Sequence, residues 1–175
     1  MPGNGEARYS SLSIALHWSM LLLIAAVYAC IELRVNFPKG SETREALKHW
    51  HFMLGLGVLL LVVVRLAVNL RRRPKAPNWL ARLGHAALYL FMVGMPIAGW
   101  LVLSAEGKPV PFFGLELPPL ISPDKVLGKS IEELHETVGT IGYWLIGLHA
   151  AAALLHHYVL RDDTLRRMLP ARRGS

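Results

Sequence analysis

The sequence predicts an all-α fold: an integral membrane four-helix bundle with both termini cytoplasmic. Three observations predict it. Apolar residues make up 53% of the 175, and they are collected into long runs. Four of those runs reach about 20 residues, enough for a helix to cross about 30 Å of hydrocarbon. Lys and Arg fall unequally on the two sides that four crossings define, eleven against seven, and acidic residues fall three against nine. The side richer in Lys and Arg is expected to face the cytoplasm.

The first run covers 12–33. It is too long for a signal-peptide core and lacks a small-residue cleavage site, so an uncleaved anchor is expected. "NFPKGSETREALK", with its Pro, Gly and Ser, separates it from the second run at 52–70. "RRRPKAPNWLAR" leads to the third at 83–103. The next link, "SAEGKPVPFFGLELPPLISPDKVLGKS", is long and Pro-rich, which predicts a cap over one face of the bundle. The fourth run, 134–160, is longer than a span needs and is expected to tilt or project. Ser130 and Glu133 have the spacing of a capping box at its start. Repeats and low-complexity tracts are absent, so a single domain over 1–175 is expected.

The net charge of +7 needs no nucleic acid to explain it. "RRRPK" and "ARRGS" read as solvated segments beside anionic lipid. The sole cysteine, Cys30, excludes an internal disulfide and a C-x-x-C-H haem attachment, and reads as a small packed residue.

Eight histidines remain to be explained, and imidazole is costly in hydrocarbon unless its nitrogens are occupied. His149 lies deep in the fourth run and His135 near its outer end. Fourteen residues at 100° each fall 40° short of four circles, so the two share a face about 21 Å apart. His51 is level with His135 on the outer side, and His17 can meet His149 on the inner side. Paired imidazoles from facing helices are how a bundle grips haem. A porphyrin needs flat room beside its ligand, and small residues follow one and two turns after three of the four, where a bulky side chain would strike the ring: Gly55, Gly139 with Gly142, and Ala153; after His17 the corresponding residue is Leu21. Arg65 shares the face of His51 one layer inward, placed either to pair with a haem propionate or to snorkel to the surface. His49, about 200° from His51, is expected to face solvent, while His85, His156 and His157 fall at the inner interface.

The stretches "SIALHW", "WHFMLGLGVLLLVVVRL", "GHAALYLFMVGMPIAGW" and "LHETVGTIGYWLIGLHAAAALLHHYVLRDDTLRRMLP" resemble those of bacterial cytochrome b561, over essentially the full chain. The family's haem-ligand histidines fall on His17, His51, His135 and His149, paired as His17 with His149 and His51 with His135. The resemblance implies two haem b groups in the bacterial inner membrane, and exchange of electrons between superoxide outside and ubiquinone. Iron with two histidine ligands has no open position, so substrates are expected to react at the haem edge. Lys108, Lys125 and Lys129 of the third link are candidates to steer superoxide. His156, His157 and His85 are candidates for the quinone site, His156 foremost because it shares the face of His149.

Two other readings compete. One is a cytochrome b subunit serving a hydrogenase or dehydrogenase partner; the compact loops offer no docking extension. The other is a zinc or copper transporter or sensor, but ligands 21 Å apart along a helix do not form one cluster. Nucleophile-elbow, H-E-x-x-H and Walker motifs are absent, which disfavours a hydrolase.

Overall fold

The computed structural model describes residues 9–72 and 79–169, with the side chains of 71 and 72 left aside. Each apolar run forms a helix: α1 Ser11–Leu33, α2 Glu42–Arg72, α3 Trp79–Ala105 and α4 Lys125–Tyr158. All four are long and apolar enough to cross a membrane. Large side chains such as Leu22, Leu90 and Trp144 stand exposed on their outward faces, as lipid-facing residues do. The basic stretches at 73–75 and 171–175 lie outside the described residues.

Two helix starts differ from expectation. α2 begins at Glu42, ahead of the apolar run, because Ser41 Oγ accepts from Arg44 N at 3.4 Å and Glu42 and Glu45 occupy the favourable first turn. α4 begins at Lys125, where the expected capping box at Ser130 is corrected. Asp124 caps instead, accepting from Val126 N and Leu127 N at 3.0 Å each, while Ser130 Oγ bonds back to Val126 O inside the helix. His51 and His135 therefore stand well inside their helices.

α1 packs on α2, α2 on α3 and α3 on α4. α4 lies close along α3, where Gly128 passes Ala105 so tightly that an added Cβ would stand 3.1 Å from its methyl. Towards α1 and α2, α4 is linked through side chains. One apolar cluster, Met20, Val58, Val62 and Met92, fills the middle of the bundle.

The Pro-rich link does form a cap, but it contains strand. Val110–Phe112 (β1) and Leu115–Leu117 (β2) pair antiparallel as a short hairpin on the helical bundle, whose all-α class stands. Phe113 and Gly114 turn the hairpin with φ of 46° and 86°, the positive values that a tight two-residue turn requires. Val110 is buried against Leu56 and Leu103, seating the hairpin against the middle of α2 and the end of α3. Trp100 Nε1 donates to Pro118 O at 3.0 Å, and Leu120 N to Ser104 Oγ at 3.0 Å, fastening the rest.

Candidate functional site

The histidines of α1, α2 and α4 meet in two layers. The rings of His51 and His135 lie 6.3 Å apart, and those of His17 and His149 lie 6.2 Å apart. A nitrogen-to-metal bond is about 2 Å and a ring centroid stands about 1 Å behind its nitrogen, so opposed ligands of one iron put their centroids about 6 Å apart. Both separations match.

The outer layer fits such a ligand pair as it stands. His51 Nδ1 lies 3.0 Å from Val27 O. A carbonyl only accepts, so Nδ1 carries the proton and Nε2 keeps its lone pair for a metal. His135 Nδ1 is buried without a hydrogen-bond partner among the described residues, an unsatisfied nitrogen of the kind a metal bond relieves. Space beside the rings is available: a Cβ added at Gly55 meets nothing within 4 Å, and one at Gly139 meets only Met95 Cε at 3.5 Å. Arg34, whose buried Nε is also unpartnered among the described residues, is close enough to act on His51 electrostatically. It offers a positive charge for a carboxylate.

The inner layer fits with one rearrangement. Arg65 Nη2 lies 3.0 Å from His17 Nδ1. A guanidinium only donates, so this nitrogen accepts and the His17 proton sits on Nε2, the form that cannot bind iron there. Ligation through Nε2 requires Arg65 to turn away. Arg65 also lies 5.7 Å from the centre of the Tyr89 ring, with its charge reaching His17, His85 and His149. His85 is brought further into this layer than its place in the sequence suggested, its ring 5.9 Å from that of His149.

Other expected residues fall as follows. His49 is exposed. His156 lies at the inner end of α4 with Nδ1 2.5 Å from Asp162 Oδ2, and His157 Nδ1 is buried and unpartnered among the described residues. Lys108 pairs with Glu106 at 3.0 Å and Lys129 with Glu132 at 3.1 Å, which weakens both as sources of a steering field. Lys125 is exposed. Gly142 does not leave room for a flat ring as expected: Tyr28 Oη and Phe91 Cζ occupy the place of its missing side chain. Tyr28 is held there by donating to Gly139 O at 2.7 Å.

Several residues near the site were not singled out by sequence. Gly99 of α3 faces His135, whose Cε1 would stand 3.4 Å from an added Cβ. Arg34 belongs to a 3₁₀ turn, Arg34–Asn36, whose carbonyl Arg44 Nη1 binds at 3.0 Å. Asp162 lies beyond the helix that carries His156. Such contacts join separate elements, so periodicity within one helix carries no sign of them.

Opposed imidazole pairs set between apolar helices define a membrane cytochrome of the b type. Residues 8–171 match the family model described as Prokaryotic cytochrome b561, and the chain belongs to that family. It is 38% identical over 174 residues to cytochrome b561 homolog 1 of Escherichia coli (strain K12), covering 95% of this chain and 99% of the relative. It is 37% identical over 175 residues to the probable superoxide oxidase CybB of Yersinia pestis, covering 95% and 98%. A second Escherichia coli protein, cytochrome b561 homolog 2, is 27% identical over 175 residues, covering 95% and 93%. The protein is thus a multi-pass bacterial membrane protein that binds haem b and transfers electrons.

Proposed function

We propose that the protein is a superoxide oxidase of the bacterial inner membrane, passing electrons from superoxide at the outer face to ubiquinone. The observation that carries the two-haem core of this reading is the pair of near-equal imidazole separations, 6.3 Å for His51 and His135 and 6.2 Å for His17 and His149. Each pair holds one haem b, two in all, with Arg34 beside the outer pair and Arg65 beside the inner one. The relative named as a probable superoxide oxidase supports the choice of donor. The Lys and Arg bias supports an orientation with both termini cytoplasmic and the hairpin cap outside.

His51 with His135 and His17 with His149 would hold haem, which would supply one-electron chemistry. The chain does the rest. Val27 O fixes the ring and tautomer of His51. Arg34 and Lys125 attract an anion to the outer face. At the inner face His156 hydrogen-bonds the quinone and passes it a proton drawn from cytoplasmic water. Two superoxide ions and two protons convert one quinone to quinol and release two oxygen molecules.

The test is a reduced-minus-oxidised spectrum of purified protein with its haem-to-protein ratio, followed by quinone reduction under a superoxide flux. Low-spin signals at about two haems per chain with superoxide-dependent quinol formation are expected. Haem that dithionite reduces but superoxide does not would remove superoxide as donor.

A further inference from the structure

The chain folds back beneath α4 in a way that membrane spanning does not require. Val159 N and Leu160 N both return to Leu155 O, at 2.9 and 3.1 Å, and Asp162 N returns to His156 O at 3.1 Å. Arg161 takes a φ of 54°, a left-handed conformation uncommon for a residue with a Cβ. The turn delivers the Asp162 carboxylate to His156. Oδ2 lies 2.5 Å from His156 Nδ1, and Oδ1 accepts from Thr164 N at 2.9 Å. Both carboxylate oxygens are engaged. The segment then forms the 3₁₀ turn Arg166–Met168, and Met168 O accepts from Trp18 Nε1 of α1 at 2.7 Å. It is tied at one end to α4 and at the other to α1, next to His17.

An ionised carboxylate only accepts, so His156 Nδ1 carries a proton and Nε2 is the nitrogen left for a ligand. A quinone carbonyl oxygen also only accepts. The ring must therefore meet quinone with protons on both nitrogens, Nδ1–H to Asp162 and Nε2–H to the carbonyl. When the quinone takes up electrons, the Nε2 proton moves to its oxygen. The ring is left neutral, and Nε2 then accepts from the new hydroxyl. With the carboxylate on Nδ1, His156 both donates to the oxidised ligand and accepts from the reduced one without turning.

We propose that Asp162 is the positioning residue of the quinone site, holding His156 in the orientation and tautomer that let Nε2 deliver a proton to the quinone carbonyl. This rests on the assignment of His156 to the quinone under the proposed function. Asp162→Asn separates the role from simple closure of the turn. Its amide oxygen can still accept from Thr164 N, but its NH2 then faces His156 Nδ1 and reverses the tautomer. A neutral ring with Nε2–H still binds quinone, yet giving up that proton would leave an imidazolate.

The experiment follows reoxidation of the prereduced, fully haem-loaded protein by a short-chain ubiquinone analogue in stopped flow, across quinone concentrations. Asp162→Asn is expected to lower the saturating rate by about tenfold or more while half-saturation stays within about twofold, and Asp162→Glu to recover most of the rate. Should Asp162→Asn not retain its haem, Asp162→Ser, which keeps an acceptor for Thr164 N but falls short of His156, carries the same expectation. A normal Asp162→Asn beside an impaired His156→Gln overturns the positioning role and leaves the quinone site standing. Weakened half-saturation with an unchanged maximal rate also overturns it, by reducing Asp162 to a turn residue. A normal His156→Gln removes the quinone assignment itself, and the proposal with it.

Discussion

Arg65 donates to Nδ1 of His17 across 3.0 Å, while Val27 O accepts from Nδ1 of His51 across the same distance. The two imidazoles are thereby held in opposite tautomers. His51 is ready to bind metal through Nε2, and His17 becomes so only when Arg65 finds another acceptor, for which a carboxylate is the natural choice. On the two-haem reading, Arg65→Leu is expected to leave the outer haem unchanged and to lower the potential of the inner one. Removing a cation from beside a centre that gains an electron disfavours reduction, by roughly 50–100 mV at an effective dielectric near 20. A spectroscopic redox titration measures it, and an inner potential equal to the wild type would contradict this placement of Arg65.

The layers make separate demands on α4. His135→Leu removes one imidazole of the outer pair and leaves His17 and His149 in place; His149→Leu does the reverse, with His85 also close by in that layer. On the two-haem reading, each variant is expected to retain about half the haem of the parent in a pyridine haemochrome assay. Loss of both haems from either variant would indicate that the layers assemble only together.

The helices and the four paired histidines were legible because both depend on period and depth along single helices. A run of apolar residues can satisfy its backbone in lipid only as a helix or in a closed barrel, and fourteen residues return nearly to the same face. The hairpin was less legible: "VPFFGLEL" is short, sits among prolines and is stabilised by Val110 reaching Leu56 and Leu103 far away in sequence. The start of α4 was misplaced because Ser130 with Glu133 and Asp124 are both acceptable caps locally, and the packing of Gly128 on Ala105 favours the earlier one. Gly142 illustrates the same limit. Its spacing from His135 suggested room for a flat ring, whereas Tyr28 and Phe91, from two other helices, fill the place.

That packing gives a prediction of its own. A methyl at Gly142 would collide with Tyr28 Oη and Phe91 Cζ. Tyr28 is fixed by its bond to Gly139 O, and its ring packs on Tyr143 at 4.4 Å, so it cannot simply move aside. Gly142→Ala is expected to destabilise the protein by about 1–3 kcal/mol, the usual range for overpacking. Thermal unfolding in detergent measures this as a lowered midpoint, and Gly142→Ala combined with Phe91→Ala should recover part of it. Gly94→Ala, where the added methyl meets nothing within 4 Å, is the matched control for stability.

The return segment after α4 carries a titration with a definite direction. The hydrogen bond from His156, followed by that from Thr164 N, lowers the Asp162 carboxyl from 3.8 to about 2. A carboxylate depressed in the folded state stabilises the fold above its unfolded value and loses that contribution as pH falls through the folded one. For Asp162 the window runs from about pH 4 down to about pH 2, so the turn that holds His156 is insensitive to this group at neutral pH. Hydrogen exchange of residues 160–169, corrected for the intrinsic pH dependence of exchange, is expected to show protection that is flat above pH 4 and falls below it. Asp162→Asn should abolish the change. Protection that stays flat down to pH 2 instead would mean that the carboxylate is not what closes the turn.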